Sequence, residues 1–149
     1  MTEICLISAA DLAEIAEIER LCFGEPWSER SLELLLRDGN FGIVAKKGGR
    51  TAAYVGVIST LPDGEITNVA THPDFRRMGL GEAVLTALKA EAAKRGIETL
   101  FLEVRRSNEP AKALYAKLGF QIIGERKGFY KNPKEDAILM SGKTTEQTL

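Results

Sequence analysis

A glycine-rich turn carrying two arginines, "RRMGLG" at 76–81, stands directly in front of the longest amphipathic stretch of the chain. The surrounding segment, residues 69–96, reads "VATHPDFRRMGLGEAVLTALKAEAAKRG". Leu80, Ala83, Val84, Ala87 and Leu88 recur at the spacing that gathers apolar side chains on one helix face, and Gly96 marks where that helix should stop. A loop feeding a helix N-terminus presents unpaired backbone N–H groups and the positive end of the helix dipole, which together suit an anion. Gly79 and Gly81, lacking Cβ, let the backbone come close to it. Arg76 and Arg77 add charge in a planar fork that matches phosphate. A diphosphate ligand accounts for all three features; the alternative is a turn whose arginines are merely solvated. The P-loop spacing GxxxxGKS/T is absent, since neither glycine is followed by Lys and Ser or Thr. GxGxxG is absent as well, because Gly81 is followed by Glu82, Ala83 and Val84. Nucleotide hydrolysis and nicotinamide chemistry both lose support.

Elsewhere, strand and helix patterns alternate with short connections. "EICLIS" reads as a strand, and Ser8 with Asp11 resembles a capping box for a helix to about Leu21. "PWSERSLELLLRDG" holds a second helix, with Ser28 as N-cap and Gly39 just past its end. "FGIVAKK" and "RTAAYVGVIST" flank a Gly48-Gly49 hairpin turn, and "GEITNVAT" is a further strand. "ETLFLEVR" follows the long helix, then "NEPAKALYAKLG" as a short helix with Pro110 in its first turn, then "FQIIGER" and "DAILMSG" as closing strands. The polar ending from about residue 143, "KTTEQTL", is expected to fray. This order predicts one domain over 1–149, a mixed sheet in an α/β or α+β architecture.

Composition narrows the partners. With 20 basic against 21 acidic side chains and a formal net charge of -1, no overall positive field exists to hold nucleic acid. No apolar run approaches the roughly 18 residues of a membrane span, and the N-terminus lacks a signal-peptide pattern, so a soluble cytoplasmic protein is expected. Cys5 and Cys22 have no His/Cys cluster around them and read as buried free thiols rather than a disulfide or metal site. His72, the single histidine, lacks metal or nucleophile companions and reads as solvated or capping. Glu103 is the anomaly. An acid inside "TLFLEV" must be ion-paired, with Arg105 or another base, or lie at the mouth of the sheet, or serve a function.

"RRMGLG" fits the R/Q-x-x-G-x-G/A motif of the GCN5-related N-acetyltransferases, and "NEPAKALYAKLGF" resembles that family's N-x-x-A-x-x-x-Y-x-x-x-G-F segment. A helix and a strand separate the two motifs, as in the family, and the resemblance spans about residues 3–142. Within the family, "EPWSERS", "LFLEVRRSN", "ALYAKLGF" and "EDAILM" are similar to segments of the RimI type, the ribosomal-protein-alanine N-acetyltransferases.

The resemblance implies a mostly antiparallel sheet of about seven strands, splayed in the middle and flanked by about four helices. It implies acetyl-CoA as acetyl donor, without metal. The pyrophosphate is expected on the amides of Arg76, Arg77, Met78, Gly79, Leu80, Gly81 and Glu82. The pantetheine arm should run beside Val69, Ala70 and Thr71 on a bulged strand, with an N–H near Val69 or Ala70 facing the thioester oxygen. Asn108 matches a position that contacts the cofactor arm. Glu103 is the implied general base and Tyr115 the implied general acid. Trp27 and Tyr130 fall on the acceptor side, although the chain reads Gly128-Phe129-Tyr130 where the type carries Asn-Tyr-Tyr. The implied acceptor is the N-terminal alanine of a small-subunit ribosomal protein, attacking directly without an acyl-enzyme. A lysine or small-amine acetyltransferase is the alternative. A noncatalytic acyl-CoA-binding module is the alternative of another class, and the presence of both Glu103 and Tyr115 speaks against it.

Overall fold

The β-branched and aromatic runs do become strands. β1 (Thr2–Leu6), β2 (Phe41–Lys47), β3 (Arg50–Thr60) and β4 (Asp63–Thr71) form an antiparallel meander in the computed structural model, which describes residues 2–145. β5 (Thr99–Arg105) joins β4 in parallel, and β6 (Gln121–Lys131) and β7 (Lys134–Lys143) complete one sheet in the order β1-β2-β3-β4-β5-β7-β6. Gly48 and Gly49, with φ of 58° and 79°, make the β2–β3 turn in the left-handed region that a Cβ would disfavour.

Four helices cover this sheet: α1 (Leu12–Cys22), α2 (Glu29–Leu32), α3 (Leu80–Lys94) and α4 (Glu109–Lys117). The Asp11 carboxylate accepts from the Ser8 amide at 2.9 Å and its hydroxyl at 3.2 Å ahead of α1. Ser28 caps α2 through the Ser31 amide. The second helix is shorter than its apolar spacing suggests: after Leu32 it tightens into a 3-10 turn over Glu33–Leu36. The predicted fraying is not seen at the start of the polar tail. β7 continues to Lys143, and the Thr144 hydroxyl donates to the Ile97 carbonyl at 2.6 Å, tying the chain down there; residues 146–149 lie outside the described residues.

Alternating side chains divide the core in two. Phe41, Ile43, Val55, Val57, Leu100 and Leu102 pack with Val84, Leu85 and Leu88 of α3. Val44, Tyr54 and Ala70 point the other way, onto Leu12, Ile15 and Ile18 of α1. Each fully buried Leu or Val contributes on the order of 1.5–3 kcal/mol. Along β5, Leu100, Leu102 and Val104 are buried, whereas Phe101, Glu103 and Arg105 occupy the opposite face and remain half-buried.

One irregularity shapes the strand at the edge of the site. Val57 pairs with Ile66 and Val55 with Val69, so two steps along β3 answer three along β4, and Thr67-Asn68 bulges opposite Gly56. Ile66 and Val69, three residues apart, therefore both join the α3 cluster, and Ala70 joins the α1 cluster. Gly56 permits this crowding. A Cβ there would lie 2.7 Å from both Thr67 Oγ1 and Leu35 Cδ1. Gly56→Ala is expected to destabilise the protein by about 1–3 kcal/mol through overpacking at the bulge, read as a lower midpoint in urea at an unchanged slope.

Candidate active site

Between β4 and α3 the chain passes through a 3-10 turn (Pro73–Phe75), where His72 Nδ1 accepts from the Asp74 amide at 3.0 Å, the expected capping histidine. The loop that follows holds two left-handed residues, Arg77 at φ 65° and Gly79 at φ 74°. For arginine this is an uncommon conformation, of the kind that clusters at ligand sites. Gly79 is the N-cap of α3, and its carbonyl receives the Ala83 amide at 3.1 Å. The amides of Leu80, Gly81 and Glu82 precede the first intrahelical bond and have no carbonyl one turn earlier to receive them. Open space lies beside Gly79, where a Cβ would meet nothing within 4 Å. Glu82, the acid in this first turn, is paired with Lys117 at 2.6 Å, which offsets its repulsion of an anion. Arg76 reaches the Cys22 sulfur at 3.5 Å, and Arg77 and Met78 are exposed at the rim. The stretch fits a diphosphate.

β4 and β5 pair only from Asp63↔Thr99 to Glu65↔Phe101 and then part. From Ile66 onward the far edge of β4 has no strand partner among the described residues. His72 N–H donates to the Ala52 carbonyl at 2.7 Å, which sets the antiparallel alternation: Ala70 exchanges bonds with Tyr54, and the N–H and C=O of Val69 and Thr71 face the open edge. The Cys22 thiol donates to the Thr71 carbonyl at 3.4 Å from that side. Of the two amides expected near a thioester oxygen, that of Val69 faces the open edge, and that of Ala70 is turned into the ladder.

The parted strands open into a cavity of about 590 Å³ whose lining includes Trp27, Val69, Glu103, Asn108, Tyr115 and Tyr130. Residues scattered over more than a hundred positions are thus gathered around one space. Ala70, Thr71 and the Arg76–Glu82 loop lie outside its lining, on the strand and helix end leading away from it. Glu103 is at the mouth, and Arg105 is not its partner: Arg105 bonds Glu135 at 3.2 Å, leaving Arg126 at a loose 3.9 Å from Glu103. Burial, and then the neighbouring Glu65 carboxylate, push the Glu103 carboxyl above the ordinary range, with Arg126 pulling it back. Tyr115, on α4 and only 7% exposed, is pushed upward by burial and stays a protonated hydroxyl at neutral pH.

Two segments wall the cavity on the outer side. Gly24 carbonyl accepts from Asn132 Nδ2 at 3.2 Å, and Glu25 accepts the Lys131 amide at 3.2 Å, so the α1–α2 loop touches the β6–β7 turn. A Cβ on Gly24 would fall 2.0 Å from the Asn132 carbonyl oxygen. Arg105 organises that turn by donating to the carbonyls of Pro133 at 2.8 Å and Asn132 at 3.2 Å, and its guanidinium lies 4.3 Å from the centre of the Tyr130 ring. Burial and the Glu103 charge push the Tyr130 hydroxyl up to about 12. Gly128 stands at φ 61°. Asparagine and glycine are the residues most at ease in that region, so the departure from Asn at this position preserves the backbone while removing the amide.

The acetyltransferase (GNAT) family profile matches residues 12–120. The [Ribosomal protein bS18]-alanine N-acetyltransferase of Escherichia coli is 36% identical over 143 residues, covering 95% of this chain and 97% of that protein, and the Salmonella typhimurium protein of the same name is similar to the same extent. The chain belongs to the GNAT family. The crystal structure of the Escherichia coli enzyme superposes with a TM-score of 0.90 at 34% identity, covering 99% of this chain and 97% of that one. The Salmonella typhimurium protein yncA, solved with its cofactor acetyl-CoA, shares the fold with a TM-score of 0.79 at 21% identity, covering 99% of this chain and 96% of that one. This GNAT chain is an N-acetyltransferase using acetyl-CoA, and the splayed seven-stranded sheet is the one its motifs imply.

Cys5 and Cys22 are free but half-buried rather than fully buried, and Cys22 lines the cavity. No helix among the described residues is long and apolar enough to cross a membrane. Sequence reasoning missed Glu19 and Arg105 near the GNAT site. The signal for Glu19 was an acid four residues after Ile15, on the stripe that α1 turns to the core. Arg105 gave no signal, because its partners lie 27 to 30 residues away in a turn of no marked pattern. Asn108 caps a helix at the cavity. Its side-chain oxygen caps α4 through the Ala111 amide at 3.2 Å, leaving its NH₂ for another partner. Asn108→Ala should lower unfolding free energy by about 1 kcal/mol, and Asn108→Asp, which retains the capping oxygen, should stay near the parent in urea melts.

Proposed function

We propose that this enzyme acetylates the α-amino group of a protein N-terminus in the cytoplasm, with the N-terminal alanine of ribosomal protein bS18 as the acceptor. The observation that carries this reading is the cavity where β4 and β5 part, which has Glu103 and Tyr115 on its lining and is walled by Trp27 and Tyr130. Relatives that are 36% identical over nearly the whole chain and bear the name of that activity support the acceptor.

Bound acetyl-CoA supplies a thioester whose carbonyl carbon accepts an amine and whose thiol, with a pKa near 8.5, departs readily. Leu80, Gly81 and Glu82 amides and the Arg76 and Arg77 side chains hold its pyrophosphate at the N-terminus of α3. Met78 and Gly79 complete that loop. Val69 and Thr71 pair with the pantetheine arm as an added strand would, and the Val69 N–H faces the thioester oxygen. Ala70 keeps that edge in place by pairing with Tyr54 on β3. The Asn108 amide steadies the arm. An α-ammonium group has a pKa of about 8, so Glu103 takes one proton to free the nitrogen lone pair for attack, and its raised pKa brings it closer to that task; the second proton, lost from nitrogen as the amide forms, balances the one that Tyr115 gives to sulfur. As the C–S bond breaks, the Tyr115 hydroxyl gives its proton to sulfur. Trp27 and Tyr130 orient the acceptor's first residues.

The deciding experiment is a peptide panel varied only in its first residues, assayed for thiol release from acetyl-CoA. The bS18-like N-terminus should be preferred, and equal use of internal lysines or small amines would sink the assignment. Glu103→Gln is expected to lower kcat about 10²–10⁴-fold with coenzyme A affinity retained in calorimetry. The acidic limb of kcat/KM should lie above the ordinary carboxylate range, since the base must be ionised and its pKa is raised. Removing the charge of Arg126 (Arg126→Gln) should move that limb to higher pH, and Glu65→Gln to lower pH, in pH–rate profiles.

A further inference from the structure

Glu19 is 0% exposed, and among the described residues it has no cationic partner. Its two oxygens are occupied by donors alone. Oε1 accepts from the Trp27 amide at 2.8 Å and from Asn68 Nδ2 at 3.2 Å; Oε2 accepts from Asn68 Nδ2 at 2.9 Å and from the Tyr54 hydroxyl. These donors come from three places that matter differently. Trp27 belongs to the acceptor-side wall, Asn68 is the second residue of the β4 bulge, and Tyr54 is buried in β3. Val69, whose N–H faces the open edge, follows Asn68 directly.

Stability alone is a poor reason for such an arrangement. A buried carboxyl is costly, and apolar replacements of buried charged groups are often neutral or stabilising. Burial pushes the Glu19 carboxyl above its ordinary range, and the bonds from Tyr54, Trp27 and Asn68 act against that push. What an apolar residue cannot do is hold an amide of the α1–α2 loop and an amide of the bulge on one rigid group. The geometry points to Glu19 as a positioning residue for acetyl transfer, fixing the acceptor wall relative to the strand edge that presents the thioester. The inference rests on the cavity being the acceptor site, as proposed above. Displacing reacting groups by about 1 Å can cost on the order of 10²-fold in rate, so this single carboxylate has leverage that its distance from the chemistry conceals.

The test compares three variants in steady-state assays with an N-terminal alanine peptide, beside acetyl-CoA calorimetry and acrylamide quenching of Trp27, the only tryptophan in the chain. Glu19→Gln should lower kcat and raise peptide KM, for a combined loss of roughly 10–100-fold in kcat/KM, with acetyl-CoA affinity within about twofold and Trp27 more readily quenched. Asn68→Ala, which cuts the bulge contact at the cavity lining and leaves the Trp27 bond to Glu19 in place, should lower kcat with little change in peptide KM. Tyr54→Phe, which removes a donor to Glu19 Oε2 and a hydroxyl beside Asn68 but leaves the Trp27 and Asn68 bonds to Glu19 in place, should stay within about threefold of the parent, as expected for a bond that only anchors. A folded Glu19→Gln with parental kcat and peptide KM overturns the proposal, as does Tyr54→Phe costing as much activity as Asn68→Ala. Should Glu19→Gln not fold, Asn68→Ala and Tyr54→Phe decide between these outcomes. If the parent protein acetylates no peptide N-terminus, the acceptor assignment fails instead, and parental Trp27 quenching in Glu19→Gln then overturns the positioning role separately.

Discussion

Two parallel strands that pair for three residues and then separate create the working space of this enzyme. β4 and β5 share a short ladder from Asp63 to Glu65, and beyond it each strand is held by a different neighbour, β4 by β3 and β5 by β7. The Thr67-Asn68 bulge turns β4 away, and the α3 core below keeps the two halves joined. Separation leaves backbone N–H and C=O groups of Val69 and Thr71 without strand partners, and buried or half-buried backbone groups demand partners. The Cys22 thiol reaches the Thr71 carbonyl, and a ligand lying along the strand edge, as proposed for the acetyl donor, would satisfy the others.

The polar groups around the opening divide by what neutralises them. Arg105 and Glu135 satisfy each other and the β6–β7 turn, leaving Glu103 with only a distant, exposed Arg126 and a like-charged Glu65. A carboxylate in that setting takes up a proton more readily than one on the surface. Tyr115 is shifted by burial in the direction that preserves its proton. The two environments differ in the way the proposed acid–base pair requires, with the proposed base on β5 and the proposed acid on α4. Glu19 is a third case, a carboxylate matched wholly by hydrogen-bond donors, whose contacts cross from the α1–α2 loop to the bulge of β4.

The order of the elements was legible because it depends on local patterns. Ser28, the Gly48-Gly49 turn and the apolar face of α3 each act within a few residues, and each appears where its pattern places it. The glycine turn ahead of α3 was equally legible, since glycine and helix start are consecutive in the chain. The second helix was only half legible: the spacing of Leu32, Leu35 and Leu36 suits α and 3-10 geometry alike over so short a run, and the packing of Leu32 and Leu35 against the α1 cluster decided it.

By itself, the sequence determined that a strand, an anion-binding turn and a long amphipathic helix follow one another, and that an acid and a tyrosine stand at motif positions near them. Tertiary structure alone decided which groups those residues meet. It paired Arg105 with Glu135 instead of Glu103, turned Val69 rather than Ala70 to the open edge, and brought Glu19 to Trp27, Tyr54 and Asn68. The physical reason is range. Capping, turn and amphipathic preferences are set by neighbours in the chain, whereas hydrogen bonding, burial and charge are set by neighbours in space, and one extra residue in β4 is enough to change which neighbours those are.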